Sequence, residues 1–240
     1  MSTSYQDSVP LPVSDVKLQE IFTKAMTQVY LWMAMGLMLT AVVSVVVVSS
    51  PFLLGLVFGT PAIIWGLLIF ELILVIAISR VVMSVSSGAG LALFFVYAAV
   101  NGLTLSVIFL VYDLGTIGLA FITTAVTFGV MSVVGYTTKQ DLTRWGGLLL
   151  MALIGLIIAS IVNMFLASTA LDWIVTYAGI LIFMGLTVYD TNRIKKMTYA
   201  LASQGETNLA DRIAVMGALR LYLDFINLFL FILRLLGRRR

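Results

Sequence analysis

Apolar stretches of membrane-spanning length recur along this chain with only short polar segments between them. A helix needs about 20 apolar residues to cross the hydrocarbon of a bilayer, where every backbone polar group must be satisfied internally. The stretches run from about Val29 to Ser49, Pro61 to Arg80, Gly90 to Val111, Thr116 to Tyr136, Gly146 to Leu166, Trp173 to Asp190 and Arg212 to Leu236. They take up most of the 240 residues and leave no soluble domain over. Only 10% of the residues are charged, where a soluble domain carries about a quarter. The expected fold is an all-α polytopic membrane protein with seven transmembrane helices. Residues 1–27 read as a cytoplasmic N-terminal tail, 28–237 as the membrane domain and 238–240 as a basic C-terminal tail. Pro51 is expected to stop the first helix, Pro61 to open the second, and Asp113 with Gly115 to make a tight turn. Span glycines such as Gly36, Gly66, Gly102, Gly129, Gly155, Gly179 and Gly185 read as close-packing positions. Trp65, Trp145 and Trp173 read as interface anchors.

Loop charges orient the chain. Lysine or arginine stands at Lys17, Lys24, Arg80, Lys139, Arg144, Arg193, Lys195, Lys196 and Arg212, whereas segments 50–60, 112–115 and 167–172 have none. The positive-inside rule then makes the N-terminus cytoplasmic. Seven crossings put Arg238, Arg239 and Arg240 outside, against the same rule, and the earlier loops are expected to prevail. The first twenty residues lack the basic flank of a signal peptide. The net charge of +3 comes largely from these loops and the tail and does not indicate nucleic-acid binding. With no cysteine, disulfides and thiolate metal sites are excluded; with no histidine, any sensor of physiological pH must be a carboxylate.

Charges within the spans carry the functional signal. The seventh stretch holds Arg220, Asp224, Asn227 and Arg234 and cannot face lipid on all sides. It is expected at the centre, ringed by the other six. Asp190 ends the sixth span. Asp190 has a local ion-pair partner in Arg193 at i+3, and Asp224 has one in Arg220 at i+4, so each acid can be a structural salt bridge. Should the two carboxylates meet, both cannot ionise cheaply, and a shared proton lies between them. Such a pair closes a path while it holds the proton and opens when repulsion parts it. Glu71, midway along the second span, reads either as a protonated, hydrogen-bonded acid or as a cation stop facing the central helix. Arg80 reads as a snorkelling helix end or as a partner for Asp190 across helices. Tyr97, Asn101 and Asn163 read as interhelical hydrogen bonds. No zinc, nucleotide, thiol or serine-hydrolase motif is present, so an enzyme is not expected.

The stretch GALRLYLDFINLFLFILRLLG, Gly217 to Gly237, resembles the C-terminal signature of the Bax inhibitor, or transmembrane Bax inhibitor motif, family. ILIFMGLTVYDTNRIK, Ile180 to Lys195, is similar to the family's sixth helix, and FELILVIAISR, Phe70 to Arg80, to its second. The resemblance implies a seven-helix bundle with the seventh helix central. It also implies a pH-sensitive calcium leak controlled by an aspartate pair, here Asp190 and Asp224. The family's second-helix glutamate and arginine correspond to Glu71 and Arg80, the arginine acting as a latch on the helix-six aspartate. The lack of a long lysine-rich C-terminal tail resembles bacterial members and implies a bacterial inner membrane. Calcium is then the transported ion, held weakly and transiently by Asp190 and Asp224, and no cofactor is expected. Membrane lipid, calcium and protons are the expected partners.

Two other readings stay open. Some bacterial relatives resemble modulators of a membrane-anchored protease, which would make the N-terminal tail and the segment from Thr191 to Asp211 contact surfaces. A proton-coupled calcium exchanger would need the same acids as a leak.

Overall fold

The computed structural model describes residues 15–84, 86–202 and 207–237. Among these, nine α-helices follow one another: α1 (Asp15–Ser49), α2 (Pro51–Phe58), α3 (Pro61–Ser84), α4 (Ser87–Leu105), α5 (Ile108–Val111), α6 (Leu114–Thr137), α7 (Thr143–Leu166), α8 (Thr169–Ala202) and α9 (Thr207–Leu236). Seven segments are long and apolar enough to cross a bilayer: Gln19–Ser49, Pro61–Val82, Ser87–Val111, Leu114–Thr137, Thr143–Leu166, Thr169–Ala200 and Asp211–Leu236. The expected basic C-terminus, residues 238–240, and the start of the expected tail, residues 1–14, lie outside the described residues.

Several helices differ in detail from expectation for physical reasons. Helix α1 starts well before Val29, because Phe22, Met26 and Val29 continue a buried stripe at helical spacing. The Phe22 ring lies 6.1 Å from Tyr136 and 6.3 Å from Tyr199, which ties the extension of α1 to α6 and α8. Residues 15–27 are therefore helical. Helix α8 likewise runs past Asp190 to Ala202, with Thr191, Ile194 and Thr198 buried along one face and no glycine or proline to stop it. Pro51 ends α1 but also opens α2, capped by the Ser50 hydroxyl, which accepts from Leu53 N. The third span breaks between α4 and α5. There Ser106 Oγ donates to Leu103 O at 2.6 Å and Thr104 Oγ1 lies 2.9 Å from Asn101 O, side-chain bonds that bend helices. Asp113 is not merely a turn residue: its carboxylate caps α6 by accepting from Thr116 N at 2.9 Å.

Helix α9 is the inner element. In its apolar window 67% of residues are buried, against 11–44% in the other six spans. It packs against α1, α3, α4, α6 and α8, while α7 rests chiefly on α8. The apolar residues left outside, Trp65 and Phe165 among them, form the belt a bilayer would cover. At the end carrying residues 138–142, Lys195 Nζ donates to Tyr136 O at 2.5 Å, satisfying a carbonyl of the last turn of α6. Lys196 meets Asp141 at 3.3 Å. The Thr143 hydroxyl, then its N–H, then Lys196 hold the Asp141 carboxyl below the usual carboxylate range.

Close backbone approach sets two helix pairs. A methyl at Gly102 would stand 2.8 Å from Thr40 O, and one at Gly135 would stand 2.4 Å from Val188 O. Backbone atoms cannot yield as a flexible side chain can. Gly135→Ala is therefore expected to destabilise the bundle by about 1–3 kcal/mol. Gly66, Gly129 and Gly155 face open space instead, so close packing is not their role. Gly129→Ala should melt like wild type in detergent, and equal melting temperatures for both variants would show that α6 and α8 are not locked at Gly135.

Candidate functional site

Helix periodicity builds the wall of one half-open cavity. On α9, Arg220, Asp224, Asn227 and Phe231 recur at three or four positions and share a face. On α8, Phe183, Leu186 and Asp190 do the same. Val75 and Ser79 of α3 and Leu156 and Ser160 of α7 complete a cavity of about 620 Å³. The two acids expected to act together thus line the same space. Both are buried, Asp190 at 7% and Asp224 at 5% exposure.

Their partners differ from the local pairs that spacing suggested. Arg220 Nη1 donates to Asp190 Oδ1 at 3.2 Å, across helices, rather than to Asp224 one turn along its own helix. Arg193 is exposed and makes no ion pair within the described residues. Asp224 Oδ2 is buried with no hydrogen-bond partner among the described residues. An unpartnered buried carboxylate oxygen is costly and calls for a proton, a cation or a water. Arg220 is the arginine in the cavity wall, Arg193 acts on Asp190 through its charge alone, and Asp224 is left incompletely matched.

The latch expected between Arg80 and Asp190 does not form in this structure. Arg80 is exposed and makes no ion pair among the described residues. It lies about 200° around α3 from buried Ile78, at 100° per residue, so its side chain turns out of the bundle. Arg220 holds the position opposite Asp190 instead.

Glu71 sits in a separate polar cluster. Its Oε2 accepts from Asn101 Nδ2 at 3.4 Å, and its Oε1 lies 2.8 Å from Thr104 Oγ1. Tyr222 OH donates to Asn101 Oδ1 at 3.2 Å and stands 2.7 Å from Thr40 Oγ1. This chain of contacts links α3, α4, α9 and α1. Asn101 is the interhelical hydrogen-bonding residue its setting suggested, and Glu71 faces α4 rather than the central helix directly. A second polar cluster was not foreseen: Arg234 near the end of α9 pairs with Asp172 near the start of α8. A signal was available, since antiparallel neighbouring helices bring the start of one beside the end of the next.

A seven-span helical bundle whose last helix is the most buried, with a carboxylate on that helix and another on its neighbour lining one cavity, is a polytopic membrane protein. Residues 23–240 match the family described as Inhibitor of apoptosis-promoting Bax1. The chain belongs to this Bax inhibitor family. It is 47% identical over 215 residues to the inner membrane protein YbhL of Escherichia coli (strain K12), an alignment spanning 90% of this chain and 92% of that one. It is also 43% identical over 224 residues to a protein of Borreliella burgdorferi, across 92% and 96% of the two chains. A Rickettsia prowazekii protein, RP147, is 39% identical over 218 residues, across 90% and 89%.

Proposed function

We propose that this protein is a pH-sensitive calcium leak of a bacterial inner membrane, gated by Asp190 and Asp224, with its N-terminus cytoplasmic. The observation that carries the reading is the imbalance in the cavity: two buried carboxylates, one arginine, and an unpartnered oxygen on Asp224. A site with one excess acid attracts a cation. Two carboxylates fall short of the 6–8 oxygens of a tight calcium site, and no cluster of three or more acidic side chains forms among the described residues. Ser79, Ser160 and Asn227 offer neutral oxygens nearby. Weak, transient holding is what conduction requires. In this reading Arg220 occupies the latch position that the resemblance gives to Arg80. The inner-membrane location rests on the likeness to YbhL, and the orientation on the loop charges.

The path is closed while the acid pair shares a proton and opens as both ionise. Calcium entry into liposomes bearing the purified protein should therefore rise from pH 6 to pH 8. Entry no faster than into empty liposomes at any pH would overturn the proposal. Calcium driven uphill by an imposed proton gradient would make the protein an exchanger.

The modulator reading draws support from Met197 and Tyr199, exposed on the extension of α8 beyond its polar boundary. Deleting residues 1–20 should abolish protease regulation under that reading and leave calcium flux intact.

A further inference from the structure

Beyond the acid pair, α9 continues about 15 Å from Asp224 to Arg234 at 1.5 Å per residue. Arg234 engages Asp172 through both Nη2 and Nε, the latter at 3.3 Å from Oδ2. The turn between α7 and α8 holds the carboxylate in place. Asn163 Nδ2 lies 3.4 Å from Asp172 Oδ1, and Asn163 Oδ1 accepts from Ser168 N at 3.0 Å. Ala167 makes the turn with a left-handed φ of 48°. These groups line a second cavity of about 800 Å³. Ser160 of α7 lines both this cavity and the one holding the acid pair, so the two meet along the α7–α8–α9 cleft.

We propose that Asp172 and Arg234 form a second closure of the same pathway, at the end opposite the cytoplasmic loops, and that an entering cation displaces Arg234 from the Asp172 carboxylate. The proposal rests on the leak reading for the identity of the ion, but the closure itself is a matter of geometry. The pair stands across a polar cavity that adjoins the acid-pair cavity. Its side chains keep 31% and 36% of their exposure, so they are reachable from water at the mouth. A part-exposed ion pair is weak enough for thermal opening. The guanidinium also sets a positive charge at the mouth, which repels cations until it swings aside.

The chain has no cysteine, so Ser160→Cys supplies a single thiol at the junction of the two cavities. A membrane-impermeant maleimide is applied to sealed liposomes from the side bearing the α7–α8 turn, alongside calcium flux in the same vesicles. Labelling should be slow in the otherwise wild-type protein and at least tenfold faster when Arg234→Gln or Asp172→Asn is added. Exchanging the charges, Asp172→Arg with Arg234→Asp, should restore slow labelling and show that the fold survives. Equal labelling rates with the pair intact and neutralised would overturn the closure whatever the flux. Faster labelling in vesicles that leak no calcium would uphold the closure and remove the leak reading instead.

Discussion

In liposomes, Asp224→Asn should hold calcium flux at its pH 6 level throughout the range to pH 8, a loss of at least tenfold at the alkaline end. Two ionised carboxylates lining one cavity repel each other. Arg220 beside Asp190 offsets part of that. A tenfold change in the open population needs only about 1.4 kcal/mol of the remainder. Asparagine keeps the shape of the protonated acid and cannot ionise, so the repulsion never develops. Asp190→Asn should also flatten the response, but it additionally releases Arg220, so its flux at pH 6 need not match that of Asp224→Asn. Wild-type flux and pH dependence in both variants would dismiss the acid pair as gate.

Arg220→Leu should cost about 3 kcal/mol of stability, because it strips the cross-helix partner from a buried carboxylate. The leucine fits an already apolar wall formed by Leu156, Leu219 and Leu223, so packing loss is a minor part of the cost. Adding Asp190→Asn to Arg220→Leu should recover most of it, since the charge left stranded is removed. Denaturation in mixed detergent, followed by helical signal, measures both. A double variant no more stable than the single one would mean that Arg220 stabilises the bundle by its stem rather than by pairing Asp190. For a chain of this size each 1 kcal/mol moves the melting temperature by about 2–4 °C, so the difference is measurable.

The residues that carry these tests were visible in the sequence, but their pairing was not. Asp190 and Asp224 stood out because a carboxylate inside an apolar span must face protein or water. Local spacing, however, offered Arg220 to Asp224 and Arg193 to Asp190. The structure gives Arg220 to Asp190, because the crossing of α8 and α9 brings the guanidinium closer to the neighbouring helix than to its own next turn. Arg80 shows the same limit. Its place at a helix end was legible, and its rotation out of the bundle followed only from which face of α3 packs on α4. Asp172 and Arg234 lay far apart in sequence and drew no pairing, although the antiparallel order of the last two spans puts them at one end.

The sequence by itself determined that this chain crosses a membrane seven times, that its last helix is the least suited to lipid, and that the acids Glu71, Asp190 and Asp224 lie within its spans. Hydrophobic length and the cost of buried charge act residue by residue, so one dimension suffices to read them. Tertiary structure alone decided which cation faces which carboxylate, that Glu71 joins Asn101 and Tyr222 rather than the acid pair, and that two cavities meet at Ser160. Those outcomes depend on helix rotation and crossing, which are fixed by contacts among all the spans at once and by close approaches such as Gly135 on Val188.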